Sequence, residues 1–274
     1  MRFLLSIILI SLISKASALT IVTTIPSLVN DVKLIAPNDE VYGIPAYSHD
    51  YQLTSRDVEM LKSADLIVST AHTHFEEKVR EMVESGEIKA ELIEIPKIEG
   101  MKLLKYPETE KTNYHMPIYD PYNYKLFLIE IAKKLESLNP KENYVERARD
   151  VCRKVEMINF RYNGTAIVDY PYGQYAVSWM GLKVVGIFFN SPTTPEKFKE
   201  VDYLVITRNS EKSIALIENI PHKYVIYIDS PFANNSILQK LEGIEVRKSV
   251  STPGYNTSIC ILAVIVLWLL RNGY

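Results

Sequence analysis

The sequence predicts an α/β protein of two lobes, each built on a parallel sheet, joined by a long spine helix. Three observations carry this. Short β-branched runs recur along the chain, separated by segments with helical apolar spacing, the pattern of βαβ units. That alternation occurs in two blocks. Between the blocks lies a stretch, 122–162, whose periodicity is helical throughout.

The elements follow in order. Leu19–Ile25 is an unbroken apolar and β-branched run, as a strand buried on both faces requires. Ser27–Ile35 carries helical spacing and closes before Pro37; Glu40–Ile44 gives a second strand, ended by Pro45. Thr54 reads as an N-cap, with Asp57 and Glu59 in the first turn of a helix to about Lys62. Ala64–Thr70 is a third strand, 76–84 a helix and 92–95 a fourth strand. From Tyr122 to Leu138 the residues Leu126, Ile129, Ala132 and Leu135 form one stripe; Asn139-Pro140 breaks it, and a moderately polar helix over 142–162 then reads as the connecting spine. The second block predicts strands at 165–169, 183–188, 203–207 and 224–228, with helices at 174–180, 211–218 and 235–241. The expected divisions are a signal peptide over 1–18, a first lobe over 19–138, the connecting helix over 139–162 and a second lobe over 163–274.

Of 274 residues, 47% are hydrophobic and 23% charged, which excludes a disordered chain. Lys and Arg total 31 against 33 Asp and Glu, so no basic surplus exists and nucleic acid is not an expected partner. Cys152 and Cys260 alone exclude a disulfide framework. Arg2, the apolar run 3–13 and the small residues Ala16-Ser17-Ala18 have the form of an export leader cut after Ala18. The twelve apolar residues 259–270, followed by Arg271, fall short of the roughly 20 needed to span a bilayer. Burial as a terminal helix is the expectation there, with a membrane anchor as the alternative.

Polar residues gather where the strands end. His49 follows the second strand, His72 and His74 the third, and His115 precedes the central helix. Asp169 and Asp229 end strands of the second block. Imidazoles and carboxylates converging from separate loops are what a divalent transition metal such as zinc or manganese requires. His72 and His222 read instead as surface residues. Tyr170, Tyr172 and Tyr175 could line a cleft for an organic ligand or a metal chelate. A zinc hydrolase would use such histidines with Glu76, but no H-E-x-x-H or nucleophile elbow occurs, so an enzyme is not expected.

These residues resemble a known family, the periplasmic metal-binding subunits of ABC importers for zinc and manganese. Ile21-Val22-Thr23-Thr24 is similar to its opening strand, and Ser48-His49-Asp50-Tyr51 with Thr54 to its P-H-x-Y motif. Ala64-Asp65-Leu66-Ile67-Val68 with His74-Phe75-Glu76 matches the following strand and turn; His115 to Asp120-Pro121 echoes the motif before the long helix. Tyr170 through Gly181-Leu182 approximates a later segment. The resemblance covers nearly the whole chain after the leader. It implies a helical-backbone metal-receptor fold, a monomer without organic cofactor, and a divalent transition metal as cargo, delivered to an ABC permease. For the site it implies His49 and His115 as ligands and His74 as an orienting neighbour. Tyr170 falls where the family has a third ligand, leaving Asp169 as its replacement; Asp229 is the nearest substitute for the fourth. By that reading the site is partly eroded, and the alternative is the same fold binding a chelate or acting as a surface adhesion module.

Overall fold

The computed structural model describes residues 18–48, 50–107, 109–189 and 201–249. The proposed leader up to residue 17, His49 and the apolar run 259–270 lie outside the described residues. No helix among those described is long and apolar enough to cross a membrane.

The first lobe alternates strand and helix as its sequence periods dictate. It runs β1 (Thr20–Thr23), α1 (Leu28–Ile35), β2 (Glu40–Gly43), α2 (Ser55–Lys62), β3 (Leu66–Ser69), α3 (His74–Glu84) and β4 (Glu91–Glu94). All strand pairs are parallel, in the order β2-β1-β3-β4. Ile21 sits opposite Val41 and Leu66, so the apolar runs stack across the sheet. At the end of β2 the chain passes so close to Pro26 that a Cβ on Gly43 would lie 2.6 Å from its Cα. Thr54 caps α2 as expected: its backbone N–H donates to the Asp57 carboxylate (2.8 Å), and its hydroxyl accepts from the Asp57 amide (3.3 Å).

Two helices separate the lobes. Asp120 caps α4 (Pro121–Leu138) by accepting from the amides of Tyr122 (2.8 Å) and Asn123 (3.3 Å), and α4 packs against α5 (Tyr144–Met157). The helix expected to reach Tyr162 stops at Met157. Beyond it the chain turns aside, so that Phe160 packs on Trp179 and Tyr162 on Tyr203 at centroid distances of 6.0 and 5.6 Å.

The second lobe comprises β5 (Gly164–Val168), α6 (Pro171–Ser178), β6 (Leu182–Ile187), β7 (Val201–Thr207), α7 (Glu211–Asn219), β8 (His222–Ile228), α8 (Ile237–Glu242) and β9 (Glu245–Lys248). Its sheet order is β6-β5-β7-β8-β9. β9, not anticipated from the sequence, pairs antiparallel with β8, Tyr224 opposite Lys248.

One apolar core crosses the molecule. Ile21 and Val68 from the first sheet, Tyr124, Phe127 and Ile131 from α4, and Val168 and Ile226 from the second sheet belong to the same buried cluster. Polar struts reinforce it: buried Asp31 of α1 accepts hydrogen bonds from the Tyr124 hydroxyl (2.6 Å) and from the Ile237 amide at the start of α8 (2.7 Å). Asp31 thereby ties helix to helix across the lobes.

Candidate metal site

In each sheet the strand order reverses once, between β1 and β3 and between β5 and β7. Ligands of open α/β sheets bind outside the carboxyl ends of strands at such switch points. A cleft of about 500 Å³ lies there, lined by Ser48, His72 and His115 on one side and by Tyr170, Tyr172 and Phe232 on the other.

His72 enters the cleft on the turn between β3 and α3, and a buried carboxylate shapes that turn. Glu76 accepts from the amides of Thr70 (2.7 Å), His72 (2.8 Å) and Thr73 (3.0 Å), and from the hydroxyls of Thr24 (2.5 Å) and Ser69 (3.0 Å). Burial alone would push the Glu76 carboxyl up; the bonds from Thr24, the His72 amide, Thr70 and Ser69 outweigh it, and the group is held below its usual range as an anion. The same turn puts Ala71 in the left-handed region at φ 51°.

His115 is fixed from behind. The Asn113 amide nitrogen donates to the Pro171 carbonyl and to Gln174, both at 2.9 Å, which turns its amide oxygen towards His115. That oxygen accepts from the His115 backbone N–H (3.0 Å) and lies 3.1 Å from Nδ1. With that oxygen as acceptor the ring proton is assigned to Nδ1, and the Tyr106 hydroxyl is also 3.0 Å away. Nε2 is then the acceptor nitrogen, and it meets His72 Nε2 at 3.2 Å, the rings inclined at 67°. Met116, next in the chain, is left-handed at φ 52°.

The other expected site residues lie as follows. His74 is on the outer face of α3, its side chain 92% exposed and 3.2 Å from Glu77. Asp169 ends β5 as expected, but it is fully buried and its oxygens accept from the amides of Tyr170 (2.7 Å) and Thr207 (2.5 Å). Burial raises its pKa, against opposing bonds from Ser213 and Thr207. Asp229 pairs with Arg208 (2.9 Å) and accepts from Asn235 (3.2 Å). Both carboxylates are thus committed to holding loops of the second lobe, with no third His, Cys, Asp or Glu joining His72 and His115 among the described residues. His72 is half-buried in the cleft rather than on the surface, and half-buried His222 lies on β8 with Nδ1 2.6 Å from the Ile220 carbonyl. His72 follows on the end of β3, the kind of position that carried the other candidates, and lines the cleft. Asn113 and Tyr106 give no sequence signal of their own.

The second wall is aromatic. Tyr170 stacks on Tyr172 at 5.5 Å and 12°, and the Tyr172 hydroxyl is 2.7 Å from that of Thr207. Burial, with the nearby Asp169 charge, raises the Tyr172 pKa, so the ring presents a neutral phenol.

Two lobes around such a cleft, joined by packed helices, define a solute-binding protein of the metal-receptor type. Residues 21–209 match the family model described as ZnuA, zinc-uptake complex component A, periplasmic, and the chain belongs to that family. Direct comparison with curated proteins gave no match. Among solved structures the manganese complex of the SBP FpvC from Pseudomonas aeruginosa superposes with a TM-score of 0.65 at 17% identity, over 82% of this chain and 94% of that one. The Zn(II)-bound E280Q variant of AdcAII from Streptococcus pneumoniae gives 0.64 at 20% identity, over 82% and 95%. A mutant of the laminin-binding adhesin Lmb from Streptococcus agalactiae gives 0.64 at 19%, over 82% and 96%. At these identities the likeness establishes the shared fold.

Proposed function

We propose that the protein is the exported solute-binding component of an ABC importer, capturing a divalent transition-metal ion in the inter-lobe cleft for delivery to a permease. The observation that carries this reading is His115: an imidazole whose Nδ1 proton is held by Asn113, so that its Nε2 lone pair faces the cleft, is the arrangement of a metal-ligating histidine with its outer support. Zinc and manganese are the cargo candidates: imidazole nitrogen suits zinc, and manganese would draw on oxygen donors beside it. His49, in the best-matching family motif and next to cleft-lining Ser48, is proposed as a further ligand. His74, Asp169 and Asp229 are proposed to act in structure, through the contacts described. Capture involves no bond making beyond coordination. The shared core and the Asp31 strut limit lobe movement, and the loaded surface docks on the permease as a monomer. Equilibrium dialysis of the mature chain with zinc and with manganese tests the reading: one ion per chain is expected, lost in a His49→Ala/His115→Ala variant. Binding that is absent, or indifferent to that double change, would overturn it.

Tyr47, Tyr114 and Phe232 at the cleft rim are 75%, 41% and 54% exposed, which favours a second reading in which the ion arrives as a chelate with a planar organic ligand. Dialysis with zinc and labelled dipicolinate separates the two: retention of label with the metal supports the chelate, and retention of metal alone the bare ion.

A further inference from the structure

We infer that His72 is a metal ligand of this cleft, forming with His115 a nitrogen pair that clamps the ion between the lobes. The inference rests on the metal-capture reading and adds to it a ligand that no family motif marks.

Zinc binds imidazole nitrogen at about 2.0–2.1 Å, so two nitrogens at tetrahedral positions stand about 3.3 Å apart. His72 Nε2 and His115 Nε2 are 3.2 Å apart. An ion taking the apex of that pair displaces the proton that His72 Nε2 donates to His115 Nε2, the His72 ring passing to its Nδ1-protonated tautomer, and opens the rings from their 4.4 Å centroid separation. Glu76 is a positioning residue: its carboxylate grips the backbone amides of His72 and Thr73 at 2.8 and 3.0 Å, fixing where the His72 ring leaves the chain. Asn113 does the same for His115 through its backbone and its ring. Both ligands are therefore held before the ion arrives, which is how precise metal sites are built. Ala71 immediately before His72 and Met116 immediately after His115 both occupy the left-handed region, at φ 51° and 52°. Non-glycine residues rarely persist there, and such strain gathers at functional sites.

The two frames belong to different parts of the fold. His72 rides on the first lobe, between β3 and α3. The segment carrying His115 is pinned to α6 of the second lobe, by Asn113 to the Pro171 carbonyl and Gln174 (2.9 Å each), by the Gln174 amide to the Lys105 carbonyl (2.8 Å) and by the Leu104 amide to the Tyr175 hydroxyl (2.9 Å). An ion joining the two imidazoles thus bonds one lobe to the other. This gives metal loading a way to set the lobe arrangement even though Asp169 and Asp229 are engaged elsewhere.

The test uses the mature chain with zinc and cobalt(II), and the variants His72→Ala, His72→Cys, His115→Ala and His74→Ala. His72→Ala should weaken zinc binding by more than about 100-fold, beyond the 10–100-fold typical of losing an outer-sphere partner. His72→Cys should bind cobalt with a thiolate-to-metal charge-transfer band, a signature that only direct coordination gives and that guards against a folding defect in the alanine variant. His74→Ala should bind as the parent does. The inference is overturned if His72→Ala binds zinc as tightly as the parent while His115→Ala does not, or if the cysteine variant binds cobalt without that band. Failure of the parent chain to bind either ion would instead remove the capture reading itself.

Discussion

Asp31 offers a prediction whose magnitude can be worked from the structure. Its carboxyl is fully buried, and burial raises its pKa from 3.8 to about 6, partly opposed by the Tyr124 and Ile237 hydrogen bonds and by Lys240. Oδ1 takes both bonds, while Oδ2 has no hydrogen-bond partner among the described residues. Because the folded state holds the proton more tightly than the unfolded chain, this group lowers stability as pH rises from 3.8 to about 6, and the full cost persists above that. At about 1.4 kcal/mol per tenfold in proton affinity, the ionised side chain costs about 3 kcal/mol, of which about 2 kcal/mol develops between pH 4.5 and 7.5. Asp31→Asn keeps the acceptor oxygen and removes the ionisation. Urea unfolding of both proteins at pH 4.5 and 7.5 should therefore show the variant gaining on the parent by about 2 kcal/mol as pH rises. Lys240 retains its bonds to the carbonyls of Pro231 and Asn235 in either case. Equal pH dependence in the two proteins would refute the reasoning, and a relative loss for the variant at pH 7.5 would show that pairing with Lys240 outweighs burial.

Other consequences follow from named contacts. Glu76→Gln turns an acceptor into a donor facing the amides of the 70–73 turn, and should cost about 2–4 kcal/mol in urea unfolding, since unmet buried partners cost about 1–3 kcal/mol each. Asn113→Ala should leave the fold intact but lower zinc affinity about 10–100-fold in a chelator competition, by freeing the His115 ring. Thr54→Ala removes the capping oxygen of α2 and should cost about 1 kcal/mol. Leu128→Ala, in the fully buried core face of α4, should cost about 2–5 kcal/mol by the same unfolding measurement.

Much of the fold was legible in the sequence because the parallel sheets are buried on both faces. The runs around Ile21, Leu66 and Leu204 are continuous apolar stretches that do not need tertiary context to be recognised. The Thr54–Asp57 capping box is equally local, and it starts α2 where expected. β9 was not legible: Glu245–Lys248 has a single apolar residue, Val246, among three charged ones, and only pairing with the edge of β8 makes it a strand. The end of α5 was hidden for a related reason, since it is decided by where Phe160 and Tyr162 find aromatic partners.

For the site, residue type marked strand ends and loops without fixing their chemistry. His115 sits in the cleft wall, where a loop histidine before α4 would lead one to look. Asp169 and Asp229 also sit at strand ends, yet a carboxylate there serves equally to satisfy backbone amides or an arginine, and the sequence does not distinguish that from coordination. His72 and His74 are two residues apart on one turn; the helix that starts at His74 sends one ring outward and leaves the other in the cleft. That sorting depends on Glu76 folding the turn around its carboxylate, a three-dimensional fact with no local signature.

The account depends on metal coordination in the cleft, and anomalous diffraction at the zinc edge from a zinc-soaked crystal of the mature chain tests it most directly. It predicts a single strong peak within bonding distance, about 2.0–2.1 Å, of Nε2 of both His72 and His115. A peak bound to Asp169 or Asp229 instead, or a cleft without one at saturating zinc, would contradict it.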